Sequence, residues 1–189
     1  AEFRALFARA QAVDRSRLPD PTAMSLATVG ADGAPSVRIV LLKHVDERGF
    51  VFYTNLRSRK GRELAAVPRA ALCFYWPALD VQIRVEGAVE PVTDQEADAY
   101  FASRARESQI GAWASSQSET LASMEQLRER VAEVKARFAN QPVPRPPHWS
   151  GKRVRPSRIE FWHTGAYRLH ERRVFEREGS EWSVRLLFP

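Results

Sequence analysis

The chain has 189 residues, of which 44% are hydrophobic, and this size favours a single domain, residues 1–189, with a well-formed core. Its formal net charge is +6, which favours anionic ligands, but 23 acidic residues are interspersed among 29 basic ones, so a nucleic-acid interface is not expected. The single cysteine excludes an intrachain disulfide and fits the cytoplasm, and no apolar run reaches the ~18 residues of a membrane span, so no membrane segment is expected.

The first half of the chain is predicted to form a helix followed by antiparallel strands. Apolar residues at helical spacing, from Phe3 to Ala10, predict a helix over 1–13 with a lead-in to residue 20. Ser58 is a good N-cap for a helix that Pro68 ends. Period-2 runs bounded by turn residues predict strands at 22–29, 36–44, 50–55, 69–76 and 81–92.

The second half is predicted to begin with helices and to return to strands. Thr93 and Glu96 form a capping box for a helix through Ser103, and 100–108 is interpreted as a helix end joined to a loop. A helix over 123–140 and a proline-rich linker over 142–147 precede strands at 154–163, 166–177 and 181–188. The fold class is therefore α+β, predominantly antiparallel β, as a closed or partly closed barrel with inserted and flanking helices.

The run Arg168-Leu169-His170-Glu171-Arg172 places cationic or titratable side chains at every second position. If the run is a strand, Arg168, His170 and Arg172 share one face, and that face attracts anions. The alternative is an ordinary exposed face paired with acidic neighbours, and the motif alone leaves both interpretations open.

Two further basic clusters have the character of phosphate sites. Ser58-Arg59-Lys60 stands at a predicted helix start, where free N–H groups favour an anion, although a solvated first turn is the alternative. Arg38 and Lys43 flank an apolar strand, and their odd spacing places them on opposite faces, so they serve different anions or one of them is merely exposed.

A third cluster lies at the end of the helix that starts at Thr93. Tyr100, Arg104 and Ser108 bring phenol, guanidinium and hydroxyl groups together, as a second phosphate requires. Gln117 and Ser118 lie in a polar run that is either part of a site or a helix cap. The four histidines are scattered, so no metal site is expected. These clusters favour one or two phosphorylated planar ligands.

Together these segments resemble the pyridoxine (pyridoxamine) 5′-phosphate oxidase family. The resemblance extends from about Pro21 to the C-terminus and rests on the number, order and spacing of the matches. The matching segments are Arg38-Ile39-Val40-Leu41-Leu42-Lys43, Phe52-Tyr53-Thr54-Asn55, Ser58-Arg59-Lys60, Gln109-Ile110-Gly111-Ala112-Trp113, Gln117-Ser118, Pro144 to Trp149, Glu160-Phe161-Trp162 and Arg168-Leu169-His170-Glu171-Arg172.

The resemblance implies an FMN-binding split β-barrel that forms a homodimer, with FMN held at the interface by both chains. The residues implied to hold the FMN phosphate and ribityl chain are Arg38, Thr54, Arg59, Lys60 and Ser118. Those implied to contact the flavin are Gln82, Gln117, Trp162 and Arg172. The implied cofactor set is completed by Ile39, Val40, Leu41, Leu42, Lys43 and Tyr53.

The resemblance also implies a substrate site. Its phosphate contacts would be Lys43, Tyr100, Arg104 and Ser108, while Arg168, Leu169 and His170 would lie against the substrate ring. Arg168 and His170 are the catalytic candidates. The implied reaction takes a hydride equivalent from pyridoxamine or pyridoxine 5′-phosphate to the flavin, which O2 then reoxidises to give hydrogen peroxide.

Two other functions remain open at this point. One is a related FMN oxidase that acts on phenazine precursors, and the other is a non-catalytic flavin or nucleic-acid binder. The chain also departs from the family pattern at two positions: Ala105 replaces a proline between two arginines, and Leu186 replaces an arginine near the C-terminus.

Overall fold

The computed structural model describes residues 1–189 and contains one nine-stranded antiparallel sheet that curls into a half-barrel. The strands follow the order β2-β1-β5-β6-β7-β4-β3, while β8 pairs with β7 and β9 pairs with β8. The strand bounds are β1 Ala23–Val29, β2 Pro35–Leu41, β3 His44–Asp46, β4 Gly49–Asn55, β5 Arg69–Trp76, β6 Val81–Pro91, β7 Trp149–His163, β8 Glu171–Glu178 and β9 Glu181–Leu187.

Five α-helices flank the sheet, and three of them begin at a side-chain cap. Ser58 Oγ accepts a hydrogen bond from the Gly61 N–H at 3.3 Å, and Ser123 caps the last helix in the same way. Thr93 and Glu96 form the predicted capping box. None of the helices is long and apolar enough to cross a membrane. Their bounds are α1 Glu2–Gln11, α2 Arg59–Ala66, α3 Asp94–Ser103, α4 Arg106–Ala114 and α5 Met124–Arg137.

The main core lies inside the curled sheet and is closed by α1. Period-2 alternation along β5 buries Leu72, Phe74 and Trp76 and leaves Tyr75 exposed. Phe3 of α1 packs edge-on against Phe50 of β4, at a centroid distance of 4.8 Å, and against Phe74 at 5.1 Å. The first helix is therefore part of the core.

Strand β7 is the centre of the sheet. One edge pairs with β6 along most of its length, whereas the other edge pairs first with β4 and then with β8. The β6–β7 register shifts after Glu86, where a Cβ on Gly87 would collide with the Arg155 carbonyl. Through β7, residues from both halves of the chain meet in one sheet.

A second, smaller core forms where α3, α4 and α5 pack beside the start of β7. Its buried members are Phe101, Ile110, Phe138, Val143 and Trp149. This cluster fixes α3 and α4 against the sheet, and the candidate site lies at that junction.

The predicted fold class is confirmed, and the largest errors fall where local signals are weak. The segment treated as a loop after Ser103 contains α4, whose N-cap, Ala105, provides no side-chain hydrogen bond and therefore no start signal. Strand 36–44 was too long, since β2 ends at Leu41 and a separate short strand starts at His44. Strand β7 begins at Trp149, five residues before the predicted start at Val154.

Candidate functional site

A cavity of about 510 Å³ lies between strands β2 and β4 and helices α3 and α4. It brings together eleven of the predicted site residues, which we call the cavity group: Ile39, Val40, Leu41, Lys43, Tyr53, Thr54, Lys60, Tyr100, Arg104, Ser108 and Gln117. Five lining residues were not predicted as site residues, namely Asn55, Gly111, Ala112, Ser115 and Trp149. The cavity therefore joins positions that are far apart in the sequence.

Lys60 is the cation most deeply placed in this cavity. Lys60 is only 9% exposed, and its Nζ donates to Thr54 Oγ1 at 3.3 Å and to Gln117 Oε1 at 3.4 Å. Burial lowers the pKa of Lys60, and the nearby Arg38 charge lowers it further, against the opposing effect of Glu63. Because no carboxylate bonds to the ammonium group directly, an anionic ligand would satisfy it.

Arg38 and Arg59 are directed to a buried carboxylate and do not line the cavity. Arg59 Nε donates to Glu63 Oε1 at 2.8 Å, and Arg38 Nη2 donates to Glu63 Oε2 at 3.2 Å. Burial raises the pKa of Glu63, but hydrogen bonds from Thr28, Ser36 and both arginines outweigh this and hold it at about 2. Helix α2 therefore places Lys60 in the cavity, and its Glu63 holds Arg38 and Arg59 beside the cavity.

The predicted site residues from Ile39 to Lys43, at the end of β2, lie in different surroundings. Residues Ile39, Val40 and Leu41 line the cavity, although the Val40 side chain also packs against the main core, and Leu42 is buried in that core. Lys43 follows the end of β2, so its position relative to Arg38 is not set by strand alternation. The alternation argument for these two cations was wrong, although Lys43 does reach the cavity.

Arg104 is a second cation in the cavity that lacks a partner. Its Nη1 is buried without a hydrogen bond, and burial lowers the pKa of the guanidinium. It is the C-cap of α3, and the buried Gln109 amide donates to the α3 carbonyls of Phe101 at 2.9 Å and Ala102 at 3.3 Å. These bonds fix the junction that presents Tyr100, Arg104 and Ser108 together.

Three predicted flavin contacts and one catalytic candidate, His170, form a separate group, which we call the β7-end group: Gln82, Trp162, His170 and Arg172. Gln82 and Arg172 are the direct cross-strand neighbours of Trp162, and the His170 ring lies 4.5 Å from the Trp162 ring. Arg172 Nε donates to Glu160 Oε1 at 2.9 Å, and this carboxylate is 1% exposed. Burial raises the pKa of Glu160, but hydrogen bonds from Arg172 and Arg84 lower it overall.

The strand interpretation of the run from Arg168 to Arg172 was wrong. Residues Ala166–Arg168 form a 3₁₀ turn, Tyr167 and Arg168 have φ values of 55° and 65°, and β8 starts only at Glu171. Period-2 alternation therefore does not apply to Arg168, which is exposed together with Leu169. Glycine at 165 permits this turn, since a Cβ there would collide with the Leu169 carbonyl.

The same loop sets the orientation of His170. The backbone N–H of Gly165 donates to His170 Nδ1 at 3.2 Å. Nδ1 is thus an acceptor, and in the neutral ring the proton lies on Nε2. His170 is therefore prepared to donate a hydrogen bond from Nε2. Ser118, the remaining predicted residue, lies in an exposed turn with φ 75°, outside the cavity lining.

The cavity group and the β7-end group lie at opposite ends of β7. Thr54 pairs with Ser150 near the start of the strand, whereas Trp162 is next to its last residue. The residues from Ser150 to Trp162 span about 40 Å of extended chain at ~3.3 Å per residue. The two groups therefore lie in different parts of the sheet of one chain.

Family models and curated relatives that match this chain share one description. A family model described as pyridoxamine 5′-phosphate oxidase matches residues 11–138, and one described as pyridoxine 5′-phosphate oxidase C-terminal dimerisation region matches residues 149–189. The chain is 62% identical over 187 residues to the pyridoxine/pyridoxamine 5′-phosphate oxidase of Myxococcus xanthus, covering 99% of this chain and 89% of that protein. It is 57% identical to that of Anaeromyxobacter dehalogenans, covering 100% and 94%.

Solved structures show the same fold. PhzG from Burkholderia lata 383, determined in complex with tetrahydrophenazine-1-carboxylic acid, superposes with a TM-score of 0.92 at 35% identity, covering 99% of this chain and 90% of that one. A pyridoxamine 5′-phosphate oxidase-related, FMN-binding protein from Nostoc punctiforme superposes with a TM-score of 0.79 at 19% identity, covering 100% and 98%. The second likeness bears on the fold alone.

Proposed function

The chain belongs to the pyridoxamine 5′-phosphate oxidase family, and from this premise we propose that it is an FMN-dependent oxidase. It converts pyridoxamine or pyridoxine 5′-phosphate to pyridoxal 5′-phosphate, with O2 reduced to H2O2. One observation carries the proposal: the cavity holds two cations, the buried Lys60 and the half-buried Arg104, without a directly bonded carboxylate on either. Two phosphorylated ligands, a cofactor and a substrate, would satisfy both.

The residues around Lys60 fit the phosphate and ribityl chain of FMN. Lys60 supplies a charge, Thr54 a hydroxyl and Gln117 an amide, and all three already lie within hydrogen-bonding distance of one another. Arg38 and Arg59, held by Glu63, and the exposed Ser118 are proposed to add positive charge and a hydroxyl at the edge of this site. The chemistry that FMN supplies when bound is acceptance of a hydride equivalent and reoxidation by O2.

The residues around Arg104 fit the substrate phosphate. Lys43, Tyr100 and Ser108 line the same cavity and bring an ammonium, a phenol and a hydroxyl to the guanidinium. Anchoring the phosphate there fixes one end of the substrate. His170 and Arg168 are proposed to orient its ring, with the Nε2–H of His170 as a hydrogen-bond donor, and Leu169 to pack beside it. Alignment of reacting groups is the main contribution that these side chains make to the rate.

We further propose that each chain is a single domain and that a second copy of the chain completes the site. The cavity group of one subunit would then meet the β7-end group of its partner, since these groups lie at opposite ends of β7. The match of residues 149–189 to a dimerisation region supports this assembly. Exposed apolar side chains on β2, including Val37 and Ile39, supply surface that a partner would cover.

A second candidate substrate is a phenazine precursor. The close superposition on PhzG supports it, because that protein was determined with a tetrahydrophenazine carboxylic acid. The cluster of Lys43, Tyr100, Arg104 and Ser108 favours the B6 substrates, since it provides a set of donors suited to a phosphate dianion.

Anaerobic mixing of the flavin-loaded protein with candidate substrates tests the proposal. We expect pyridoxamine and pyridoxine 5′-phosphates to bleach the flavin absorbance near the visible maximum, and the unphosphorylated vitamers to do so far more slowly. Flavin that stays oxidised with both phosphates would refute the B6 assignment. Reduction by a phenazine precursor alone would transfer the protein to the second substrate class, and no reduction by any of them would indicate a flavin binder.

A further inference from the structure

The Arg104 guanidinium lies on an aromatic stack and not on a carboxylate. Its Cζ is 4.8 Å from the centroid of the Trp149 ring. Trp149 is in turn nearly parallel to Tyr53, at 5.2 Å and 11°, and to Tyr100, at 6.1 Å and 10°. Tyr53 and Tyr100 stack at 4.0 Å. Two side chains proposed to bind the substrate phosphate, Arg104 and Tyr100, therefore rest on one buried indole.

The backbone of Trp149 is tied to the helix that carries these two side chains. Arg145 Nη1 donates to the Trp149 carbonyl at 2.9 Å, and the same guanidinium bonds to Asp94 and Asp98 of α3 at 2.7 and 2.5 Å. The ring is 6% exposed, so it has little freedom to move. Trp149 thus has a fixed position relative to α3.

An aromatic face suits a phosphate-binding arginine better than a carboxylate would. A carboxylate would compete with the phosphate for the guanidinium N–H groups, whereas a ring face holds the cation in place and leaves those groups free at the edge. The buried Arg104 Nη1 without a hydrogen-bond partner is consistent with this arrangement. Arg145, by contrast, is fully engaged by two carboxylates.

We propose that Trp149 is a positioning residue for substrate binding, which holds Arg104 and Tyr100 in the geometry that receives the substrate phosphate. The inference rests on the proposed function, because it assumes that Arg104 meets that phosphate. It assigns to Trp149 selectivity for phosphorylated over unphosphorylated B6 compounds. Trp149 itself takes no part in the chemistry.

The test compares Trp149→Phe and Trp149→Leu in the flavin-loaded dimer. The first readout is binding, measured as the ratio of the dissociation constants of pyridoxal and pyridoxal 5′-phosphate by absorbance titration. Leucine removes the nearer cation–π contact and leaves only the Phe101 ring, 5.5 Å from the guanidinium. We therefore expect the preference for the phosphorylated compound to fall about ten-fold, while phenylalanine, a weaker aromatic partner, retains most of it. In turnover, KM for pyridoxamine 5′-phosphate should rise with little change in kcat.

Trp113→Leu is the matched control. Trp113 packs against the same small core, and Arg137 lies 5.1 Å over its ring, but Trp113 does not line the cavity. This variant loses a tryptophan–arginine pair of the same kind, and we expect its phosphate preference to equal that of the wild type. An equal loss in both leucine variants would show general loosening of the core and overturn the proposal.

Arg104→Ala separates failure of this inference from failure of the proposed function. If Arg104→Ala abolishes the phosphate preference and Trp149→Leu adds nothing in that background, Trp149 acts through Arg104 as proposed. A Trp149→Leu protein with wild-type preference, beside an impaired Arg104→Ala protein, refutes the positioning role alone. An Arg104→Ala protein with wild-type preference refutes the phosphate site itself. If Trp149→Leu does not fold, Trp149→Met, a flexible side chain that also lacks a ring face, takes its place in the same comparison.

Discussion

Lys60 and Arg62 lie on the same helix and carry the same charge, but their surroundings differ. Lys60 is buried in the cavity beside Thr54 and Gln117, whereas Arg62 is exposed and bonds to a backbone carbonyl. We expect Lys60→Ala to weaken FMN affinity about ten-fold or more, from ~1.5–3 kcal/mol for a charge-assisted hydrogen bond. Titration of the apoprotein with FMN measures this, and Arg62→Ala is the control. Equal affinities in the two variants would remove Lys60 from the phosphate site.

His170 has a defined tautomer and a place in the β7-end group, but no contact with the cavity. His170→Ala should therefore leave FMN bound and slow flavin reduction by pyridoxamine 5′-phosphate on the order of 100-fold, because the substrate ring loses its alignment. Anaerobic stopped-flow absorbance separates this step from reoxidation. His44→Ala removes an exposed histidine that lies 3.6 Å from Asp46 and outside both groups, and this variant should reduce at the wild-type rate. A normal reduction rate in His170→Ala would exclude the alignment role.

Helix α2 depends on a carboxylate that faces the sheet. Glu63 accepts from Thr28, Ser36, Arg38 and Arg59, so Glu63→Gln should lower the free energy of unfolding by roughly 2 kcal/mol at neutral pH. Urea unfolding checks this value. Glu47→Gln is the control, because its only pair, with Arg4, is exposed and should contribute less than about 1 kcal/mol.

The same residue gives the stability of α2 a pH dependence. The pKa of Glu63 is about 2 in the folded chain and 4.5 as its ordinary value, so its contribution is complete above about pH 4.5 and is lost as the pH falls towards 2. The difference in unfolding free energy between wild type and Glu63→Gln should therefore shrink over this window. Asp46, whose pKa is also about 2, is present in both proteins and cancels in that difference. A constant difference would contradict the assignment.

The junction of α3 and α4 has a backbone that would accommodate proline at position 105, the residue that the resemblance led us to expect there. Ala105 has φ −54° and ψ 138°, its N–H donates no hydrogen bond, and Arg104 has the extended ψ of 149° that precedes proline well. Ala105→Pro should raise the free energy of unfolding by about 0.5 kcal/mol through the unfolded state. Thermal unfolding measures it. Ala102→Pro, inside α3, should instead destabilise the protein by about 3 kcal/mol, and a loss of similar size at 105 would show strain at the junction.

At the scale of elements, the sequence predicted what depends on neighbours along the chain. Period-2 alternation located strand β5 residue for residue, and the Thr93 capping box located the start of α3. Helix α4 was missed because Ala105 provides no capping signal. The turn at Arg168 was missed because it depends on a close approach of Gly165 to the Leu169 carbonyl. Such contacts have no local signature.

The same limit applies to the site. The resemblance indicated Lys60, Thr54 and Gln117, and the fold brings them together. It gave no role to Glu63, or to Trp149 at the end of a matching segment, because those roles appear only when α2 meets β1 and β2 and when β7 meets α3. A glutamate on a helix and a tryptophan after prolines are unremarkable until the tertiary contacts are known.

At the scale of the whole molecule, a site divided between two copies predicts complementation. Lys60→Ala impairs the cavity group and His170→Ala the β7-end group, so a heterodimer of the two variants contains one site with both groups intact. Co-expression with different affinity tags and two-step purification isolates that heterodimer. We expect it to have about half the activity of the wild-type dimer, whereas each variant homodimer is impaired. A heterodimer no more active than the homodimers would place the whole site within one subunit.

The central position of β7 in the sheet also sets the order of events during synthesis. Strands β4 and β6 end before residue 92, but their common partner begins only at Trp149. A nascent chain therefore carries unpaired strand edges while more than fifty further residues are translated. Pairing over such sequence distances is slow, so we expect the chain to be prone to aggregation during this interval. Strands β4 and β6 thus cannot complete their pairing until β7 has been translated.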